Sequence, residues 1–571
     1  MAQNQNSPRE VDLLIVGAGL HGLTMAKTYL QTGPSASLLV VDEAASVGGT
    51  WAHERLYPGL VTNNVFGSYE LSDFPLVPEK YGVVGVGHIP GAVVHSYFCD
   101  VADHFGITPC LRLRRRVARA TLDGCWWIVR VECVDEFQEA EDIVARRLVI
   151  ATGLTSTPSI PQLPGSDHFA GLMLHSKQLK EKAHALAQCK NVVVLGANKS
   201  AWDVCYKAAR SGAQVHMVIR PSGGGPSYLW PRSFFIGPWE VSLARISATR
   251  AFSLFDPTLF GENGAFSWIR RFFHRTFVGR WLCRLFWSYL DEHIKTINGY
   301  RGNTELQKLE PWTTPFWMGN SLSIHNYETS WFDLVREGRI HIHIAHITGV
   351  LENSVHITGE VEETLDADAI VCCTGWKAKV PVDIHSTACD KRHAKAHDEV
   401  LQRIPYLPSS RRTRNAPLVG EKDQASEFVP APELYRHIDP SDSNSLQNRN
   451  IAFIGMHSCL HAFIVAQAQA LWISAFFKDR VDHLNYVDID SVQYSTALHS
   501  AYTKLRRPKE LGGSGGKYPD LVFDSLPYVD VLLHDVAVES RRKVSWWKEL
   551  TEAYRPADYA GLVEEWLTRS S

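Results

Sequence analysis

Residues 11–42 read VDLLIVGAGLHGLTMAKTYLQTGPSASLLVVD, and this glycine spacing restricts the fold more than any other stretch of the chain. An apolar run of strand length meets Gly17, Gly19 and Gly22. A helical stretch follows, Gly33 and Pro34 break it, and a second apolar run ends at Asp42. Strand, tight turn, helix, strand and an acid about 20 residues past the last glycine form the dinucleotide-binding βαβ pattern. Gly17 turns the chain sharply, Gly19 lets backbone N–H groups approach a pyrophosphate, and Gly22 lets the helix pack on the strand. The helix N-terminus faces the anion, and Asp42 is placed to accept from ribose hydroxyls.

Residues 192–220 repeat the unit as VVVLG, SAWDVCYKAARSG and QVHMVIR. Gly196 holds the first glycine position, Asn198 the second and Ala201 the third, with Lys199 and Ser200 at the helix start. A methyl at the third position still permits helix–strand packing; asparagine at the second is the real departure, accommodated because asparagine takes left-handed backbone best among non-glycine residues. Where the first unit ends in Asp42, the second ends within one position of the equivalent place in Arg220. A carboxylate repels a ribose 2′-phosphate and a guanidinium binds it. The second unit therefore reads as an NADPH site, and the first as a site for a nucleotide with an unphosphorylated ribose.

The segment EAASVGGTW places Gly48, Gly49 and Trp51 just beyond Asp42. Farther on, RRLVIATG (146–153) and DAIVCCTG (368–375) are apolar strands ending in Thr-Gly. Each reads as a crossing between domains, where a glycine such as Gly153 admits close approach to a cofactor. Residues 450–477 carry no Asp, Glu, Lys or Arg and are long enough to span a bilayer. His457, His461, Gln467, Gln469 and the division into IAFIG and a following helix favour a buried strand–turn–helix unit instead.

A chain of 571 residues exceeds one hydrophobic core and implies several domains. With 45% hydrophobic and 21% charged residues it is not a disordered chain, and a net charge of −3 does not point to nucleic acid. The 11 cysteines contain no CxxC or CxxxxC pair, which excludes a redox dithiol or zinc knuckle of that spacing and suits reduced thiols. The polar opening MAQNQNSPRE lacks the apolar region of a signal peptide, so a cytoplasmic location is expected.

Two dinucleotide turns in one chain are the layout of two-dinucleotide flavoproteins. The sequence resembles the flavin-containing monooxygenases, class B flavoprotein monooxygenases related to Baeyer-Villiger enzymes, and looks most like their fungal secondary-metabolism members. The matching pieces are GAGLHG, VGGTW, VTNNVFGSYELSDFP (61–75), ATGLTSTPSIPQLPG (151–165), FAGLMLHS (169–176), GANKSA, CTGW (373–376) and AQALW (468–472), in family order. Phe169, Gly171 and His175 meet the signature FxGxxxH, whereas Leu179 stands where the family usually carries an aromatic residue.

The resemblance implies an α/β fold with two Rossmann-like domains. The FAD domain is expected to be discontinuous (1–165 and 371–477), the NADPH domain (166–370) to carry a helical insertion (222–320), and 478–571 to form a C-terminal extension. It implies FAD contact by Gly17, Gly19, Gly22, Asp42, Gly49, Trp51, Gly153 and Gln469, and NADPH contact by Gly196, Asn198, Lys199, Ser200 and Arg220. His175 is expected near the NADP or the interdomain linker, in a conformational role. The implied activity is insertion of one oxygen atom from O2 into a small organic substrate through a C4a-(hydro)peroxyflavin, with Asn63 of the TN motif, and Asn64 beside it, as the catalytic amides.

Baeyer-Villiger chemistry needs a cation near the flavin. Residues 306–327 offer no convincing counterpart of the family's arginine, which favours heteroatom oxygenation or hydroxylation. The rival readings are an uncoupled NADPH oxidase or flavin reductase and a noncatalytic nucleotide-binding scaffold. The aromatic and arginine-rich stretch 265–290 reads as part of a helical cap over the substrate cavity, with peripheral membrane contact as the alternative, and the C-terminal region as packing or an oligomer contact.

Overall fold

A computed structural model describes residues 9–569 apart from 85–86, 136–139, 263, 265, 320, 378–379, 381–389, 408–431 and 509–510. The polar N-terminal residues 1–8, and residue 265 of the arginine-rich stretch, lie outside the described residues. The chain opens with β1 (Arg9–Val16), α1 (Leu20–Thr32) and β2 (Leu38–Val41). It continues through β3 (Val61–Val65), β4 (Leu111–Arg112), β5 (Arg115–Asp123), β6 (Trp126–Cys133) and β7 (Glu141–Ile150). Through β8 (Thr157–Pro158) it crosses to β9 (Leu172–His175), β10 (Asn191–Leu195), α2 (Lys199–Arg210) and β11 (Gln214–Ile219). An insertion carrying α3 (Ser267–Arg275) and α4 (Phe277–Asn298) precedes β12 (Ile340–Ile344) and β13 (Ala369–Cys372). The chain returns through β14 (Trp376–Lys377) to β15 (Ile451–Phe453), α5 (Ala462–Phe476), α6 (Ile489–Arg506) and α7 (Ser525–Asp535).

The strands form two principal sheets. In the first the order is β4-β2-β1-β7-β6-β5, with β15 also on β7. Long β7 is parallel to β1 and divides its other edge between antiparallel β6 and parallel β15. The second sheet is parallel throughout, in the order β9-β13-β10-β11-β12. Its inner strands β10 and β13 are near-continuous apolar runs, as strands covered on both faces are, whereas edge strand β12 alternates as IHIHI. Valines 192–194 of β10 and Ala369–Cys372 of β13 are buried accordingly.

The division expected at 370 falls inside β13, which is hydrogen-bonded between β9 and β10, so the second unit runs on to Cys372. The described residues of 478–569 pack against the rest of the chain, the first of the two readings of this region. Leu526, Tyr528, Val529, Leu532, Leu533, Tyr559 and Trp566 are buried in the same core as α1 and α5, while Val522 and Phe523 enter the core of the insertion beside Trp287 and Phe316. Buried Arg250 of the insertion is paired with Asp530 and with Glu549, the latter at 2.6 Å.

Residues 450–477 are the strand–turn–helix unit that their polar residues suggest, and 14 of the 15 residues of α5 are buried. Among the described residues no helix is long and apolar enough to cross a membrane.

The two crossings lie side by side. β8 and β14 pair antiparallel through Trp376 with Pro158 and Lys377 with Thr157. The ATG at the end of β7 and the CTG at the end of β13 thus lead into one two-stranded ladder between the units.

Candidate active site

The first turn is built as its glycines demand. Gly17 has φ +116°, and a Cβ there would stand 2.5 Å from the carbonyl oxygen of Ala151 at the end of β7. A Cβ on Gly22 would stand 1.8 Å from the carbonyl oxygen of Gly17, so α1 rests directly on the turn. Gly19 and Gly49 touch, with a Gly19 Cβ 3.4 Å from the Gly49 Cα, and the amide of Gly48 donates to the Ala18 carbonyl at 2.9 Å. The VGG segment therefore lies against the N-terminus of α1.

Asp42 Oδ2 accepts from the amide of Ala18 at 2.6 Å, and Oδ1 from that of Ala44 at 2.8 Å. Each carboxylate oxygen keeps a further acceptor position for a ribose hydroxyl. Burial raises the carboxyl pKa, and the two amide bonds oppose that shift.

Just beyond β7, Thr152 Oγ1 is buried with no hydrogen-bond partner among the described residues. Gly153 has φ +63°, and nothing lies within 4 Å of where its Cβ would be. An unpartnered hydroxyl beside an open glycine, one residue past the carbonyl that Gly17 abuts, is a cradle that FAD fits. Gly17, Gly19, Gly22, Asp42, Gly49 and Gly153 would hold it.

Trp51 belongs to this segment but points elsewhere, donating from Nε1 to the Tyr69 hydroxyl at 2.9 Å. Gln469 differs from expectation. It is fully buried in α5, its Oε1 accepts from the Gly455 amide at 3.1 Å and from His457 Nε2 at 3.2 Å, and its Nε2 donates to Tyr528 at 2.8 Å. With its amide spent inside the protein, Gln469 fixes the chain after β15 instead of touching a cofactor. His457 meets His21 of α1 edge-on at 5.7 Å, and burial drives the His21 pKa down to about 3.

In the second turn Gly196 has φ +139°, and its Cβ would stand 2.4 Å from the Cys373 carbonyl oxygen, mirroring Gly17 and Ala151. Asn198 has φ −101° and ψ −179°, an extended conformation open to any residue. The left-handed tolerance expected to explain it is not used. Its counterpart Gly19 is extended too, at φ −81°, and a Cβ there would meet Gly49 at van der Waals distance. Ser200 follows in the first turn of α2, half-buried.

Lys199 is also placed differently. Its ammonium pairs with Asp203 and donates to Asn326 Oδ1 at 3.0 Å and the Tyr327 hydroxyl at 3.3 Å. Asp203 accepts in addition from Tyr57 at 2.8 Å and Tyr327 at 2.9 Å. Burial and the Asp203 charge hold both phenols well above their usual pKa. Arg220, by contrast, is exposed at the end of β11, and its guanidinium makes no hydrogen bond or ion pair with the described residues.

Asn63 and Asn64 point to opposite faces of β3, as strand alternation requires. Asn64 is buried and donates to the Leu460 carbonyl at 3.0 Å, a structural tie. Half-buried Asn63 faces the second unit, where Asn326 Nδ2 donates to the Thr62 carbonyl at 3.1 Å and approaches Asn63 Oδ1 at 3.5 Å. With Oδ1 engaged, the amide NH2 of Asn63 is the group left to donate.

His175 ends β9 and is buried. Its Nδ1 accepts from the Lys177 amide at 3.1 Å, so Nε2 carries the proton and donates to the Gly375 carbonyl at 3.0 Å. Burial lowers its pKa, which keeps the ring neutral, and it stands edge-on to Trp376 at 4.9 Å. This fits a linker role and no acid–base one. Tyr57, Asp203 and Asn326 were not legible from the sequence. Only the i, i+4 spacing of Lys199 and Asp203 on α2 signals part of the network.

Two glycine turns on separate sheets, one ending in a carboxylate and the other in a free guanidinium, define a two-dinucleotide oxidoreductase. Residues 14–228 match the family model described as pyridine nucleotide-disulphide oxidoreductase. An FAD-dependent monooxygenase of Pyrenophora dematioidea is 33% identical over 568 residues, covering 93% of this chain and 98% of its own. The FAD-dependent monooxygenase resA of Aspergillus sclerotiorum is 32% identical over 589 residues, covering 97% and 98%. An oxidized steroid monooxygenase bound to NADP shares the fold at a TM-score of 0.59 and 16% identity, over 93% of this chain and 99% of that one. The chain belongs to the FAD-dependent monooxygenases.

Proposed function

We propose that the protein is an NADPH-dependent monooxygenase that places one oxygen atom of O2 on a small organic substrate, in the secondary metabolism of a fungus. The observation that carries this reading is the polar network from Asn63 through Asn326 to Lys199 and Asp203. It joins β3 of the flavin unit to the first turn of the second dinucleotide helix. When bound, FAD would take the reducing equivalents from NADPH and provide the place where O2 is activated. The chain's own residues bind the two nucleotides, orient them and offer a hydrogen bond. Asn63 is the donor, Asn326 holds its carbonyl end, and Lys199 holds Asn326. The secondary-metabolism role is supported by the fungal sources of the relatives.

Baeyer-Villiger insertion would call for an unneutralised cation at this place. Lys199, one residue away from Asn63 through Asn326, is paired with Asp203. Arg232, the other cation nearby, is tied to the carbonyls of His325 and Tyr327 on either side of Asn326. Heteroatom oxygenation or hydroxylation is therefore preferred, with Baeyer-Villiger insertion kept as the alternative. The test is product formed per NADPH consumed over a panel of amines, sulfides, ketones and aromatic polyketides. Esters or lactones from ketones as the main products would overturn the preference, and peroxide without any organic product would leave an oxidase.

Arg220 sets the coenzyme preference in this reading, because the ammonium of Lys199 is already engaged. Arg220→Ala removes a charged hydrogen bond worth about 1.5–3 kcal/mol, roughly tenfold to hundredfold in Kd for NADPH. Titration of wild type and variant with NADPH and NADH checks it. NADH binding stays nearly constant, and an undiminished NADPH preference would assign the phosphate to another residue.

A further inference from the structure

Helix α4 is apolar on two sides. Gly279, Cys283, Trp287, Leu290 and Ile294 form its buried stripe. On the outer side Phe277, Trp281, Leu285 and Tyr289, each four residues from the next, are exposed, Phe277 to 76% and Trp281 to 52%. Helix α3 adds exposed Trp268 (66%) and Phe272. The break between the helices accounts for the outward turn of Phe272 and Phe277. Thr276 caps α4 by accepting from the Gly279 amide at 3.0 Å, and a Cβ on Gly279 would stand 2.0 Å from the Phe272 carbonyl oxygen. The close crossing at Gly279 sends the flanking phenylalanines outward. Trp546 and Trp547, both exposed, extend the patch, with Trp546 6.0 Å from the Phe266 ring.

The charge on this face is predominantly positive, with Glu262 the neighbouring acid. Residues 263–290 contain five arginines and no aspartate or glutamate. Arg270 is buried against the carbonyls of Ser253 and Asp256, and Arg275 is paired with Glu262. Arg271 and Arg284 are exposed and Arg280 is half-exposed. Tryptophan and phenylalanine with arginine beside them match the boundary between acyl chains and anionic headgroups, where the rings enter and the guanidiniums reach the phosphates. A second copy of the same face would bring arginines against arginines. Among the described residues no helix is long and apolar enough to cross a bilayer, so the hairpin would lie in the plane of the interface.

We infer that the outer face of the α3–α4 hairpin is a docking surface for anionic lipid bilayers. The experiment uses the full-length, FAD-loaded protein and two kinds of vesicle, phosphatidylcholine alone and phosphatidylcholine with phosphatidylserine. The protein sediments with the serine-containing vesicles and much less with the neutral ones, and added salt weakens binding. Arg271→Glu/Arg280→Glu/Arg284→Glu lowers binding about a hundredfold. Phe277→Ser/Trp281→Ser lowers it by a similar factor while an unchanged flavin spectrum shows an intact fold. A wild type that stays in the supernatant with both vesicles overturns the inference. So does an aromatic variant that binds as tightly as wild type. A lipid-free dimer that the aromatic variant dissociates, with no vesicle binding, would make the face a self-interface instead.

Discussion

Gly22→Ala is expected to give a colourless protein. The new methyl would sit 1.8 Å from the Gly17 carbonyl oxygen, which is backbone and has no rotamer to change. Either α1 lifts from the turn or the turn unwinds, and both movements displace the helix N-terminus from the pyrophosphate. Overpacking of this kind also costs about 1–3 kcal/mol of stability. Flavin absorbance per polypeptide after purification, with circular dichroism to confirm the fold, is the measurement. A folded Gly22→Ala carrying full FAD would remove this turn as the flavin seat. The second unit supplies the contrast. Position 201 is alanine already and fully buried, so Ala201→Gly leaves flavin content unchanged and lowers stability by about 1 kcal/mol, the propensity difference in a helix.

Asn63→Ala is expected to separate NADPH oxidation from oxygen transfer. FAD stays bound, because Gly17, Gly19, Gly22 and Asp42 are untouched, and hydride transfer does not need the amide. Losing one preorganised donor costs on the order of 2.7–4 kcal/mol, a hundredfold to a thousandfold in product formation. The reducing equivalents leave as hydrogen peroxide. NADPH consumed, peroxide released and product formed are compared in the same reaction. Product per NADPH equal to wild type would take Asn63 out of the mechanism, and loss of FAD would make it structural. Asn326→Ala should move in the same direction by a smaller factor, since it frees the Asn63 carbonyl end without removing the donor.

The glycine turns were legible because their requirement is local. Gly17 and Gly196 need a positive φ and room for a carbonyl oxygen, and both conditions are written within a few residues of sequence. The two Thr-Gly crossings were legible for the same reason. Asn198 was read correctly as tolerable but for a cause the backbone does not use. Gln469 misled because a motif position carries no record of its partners, and those partners, His457 and Tyr528, lie on either side of it at different sequence distances. The network at Asn63 joins residues 57, 63, 203 and 326, and no period or spacing connects four positions so far apart. The C-terminal segment carries helical spacing, but periodicity does not say which core a segment completes, and here it enters three.

The paired crossings between the two units restrict how they can move. A single connecting strand would act as a swivel, free to twist as well as bend. Two strands joined by a ladder, with His175 fastened to Gly375 at one end, resist twist between the crossings, and the C-terminal segment ties the two units further by entering the cores of both. The lateral alignment of the Lys199 side of the second unit with β3 is thereby held. Because His175 is neutral and bonded at both nitrogens, that alignment does not depend on a proton that neutral or alkaline solution could remove.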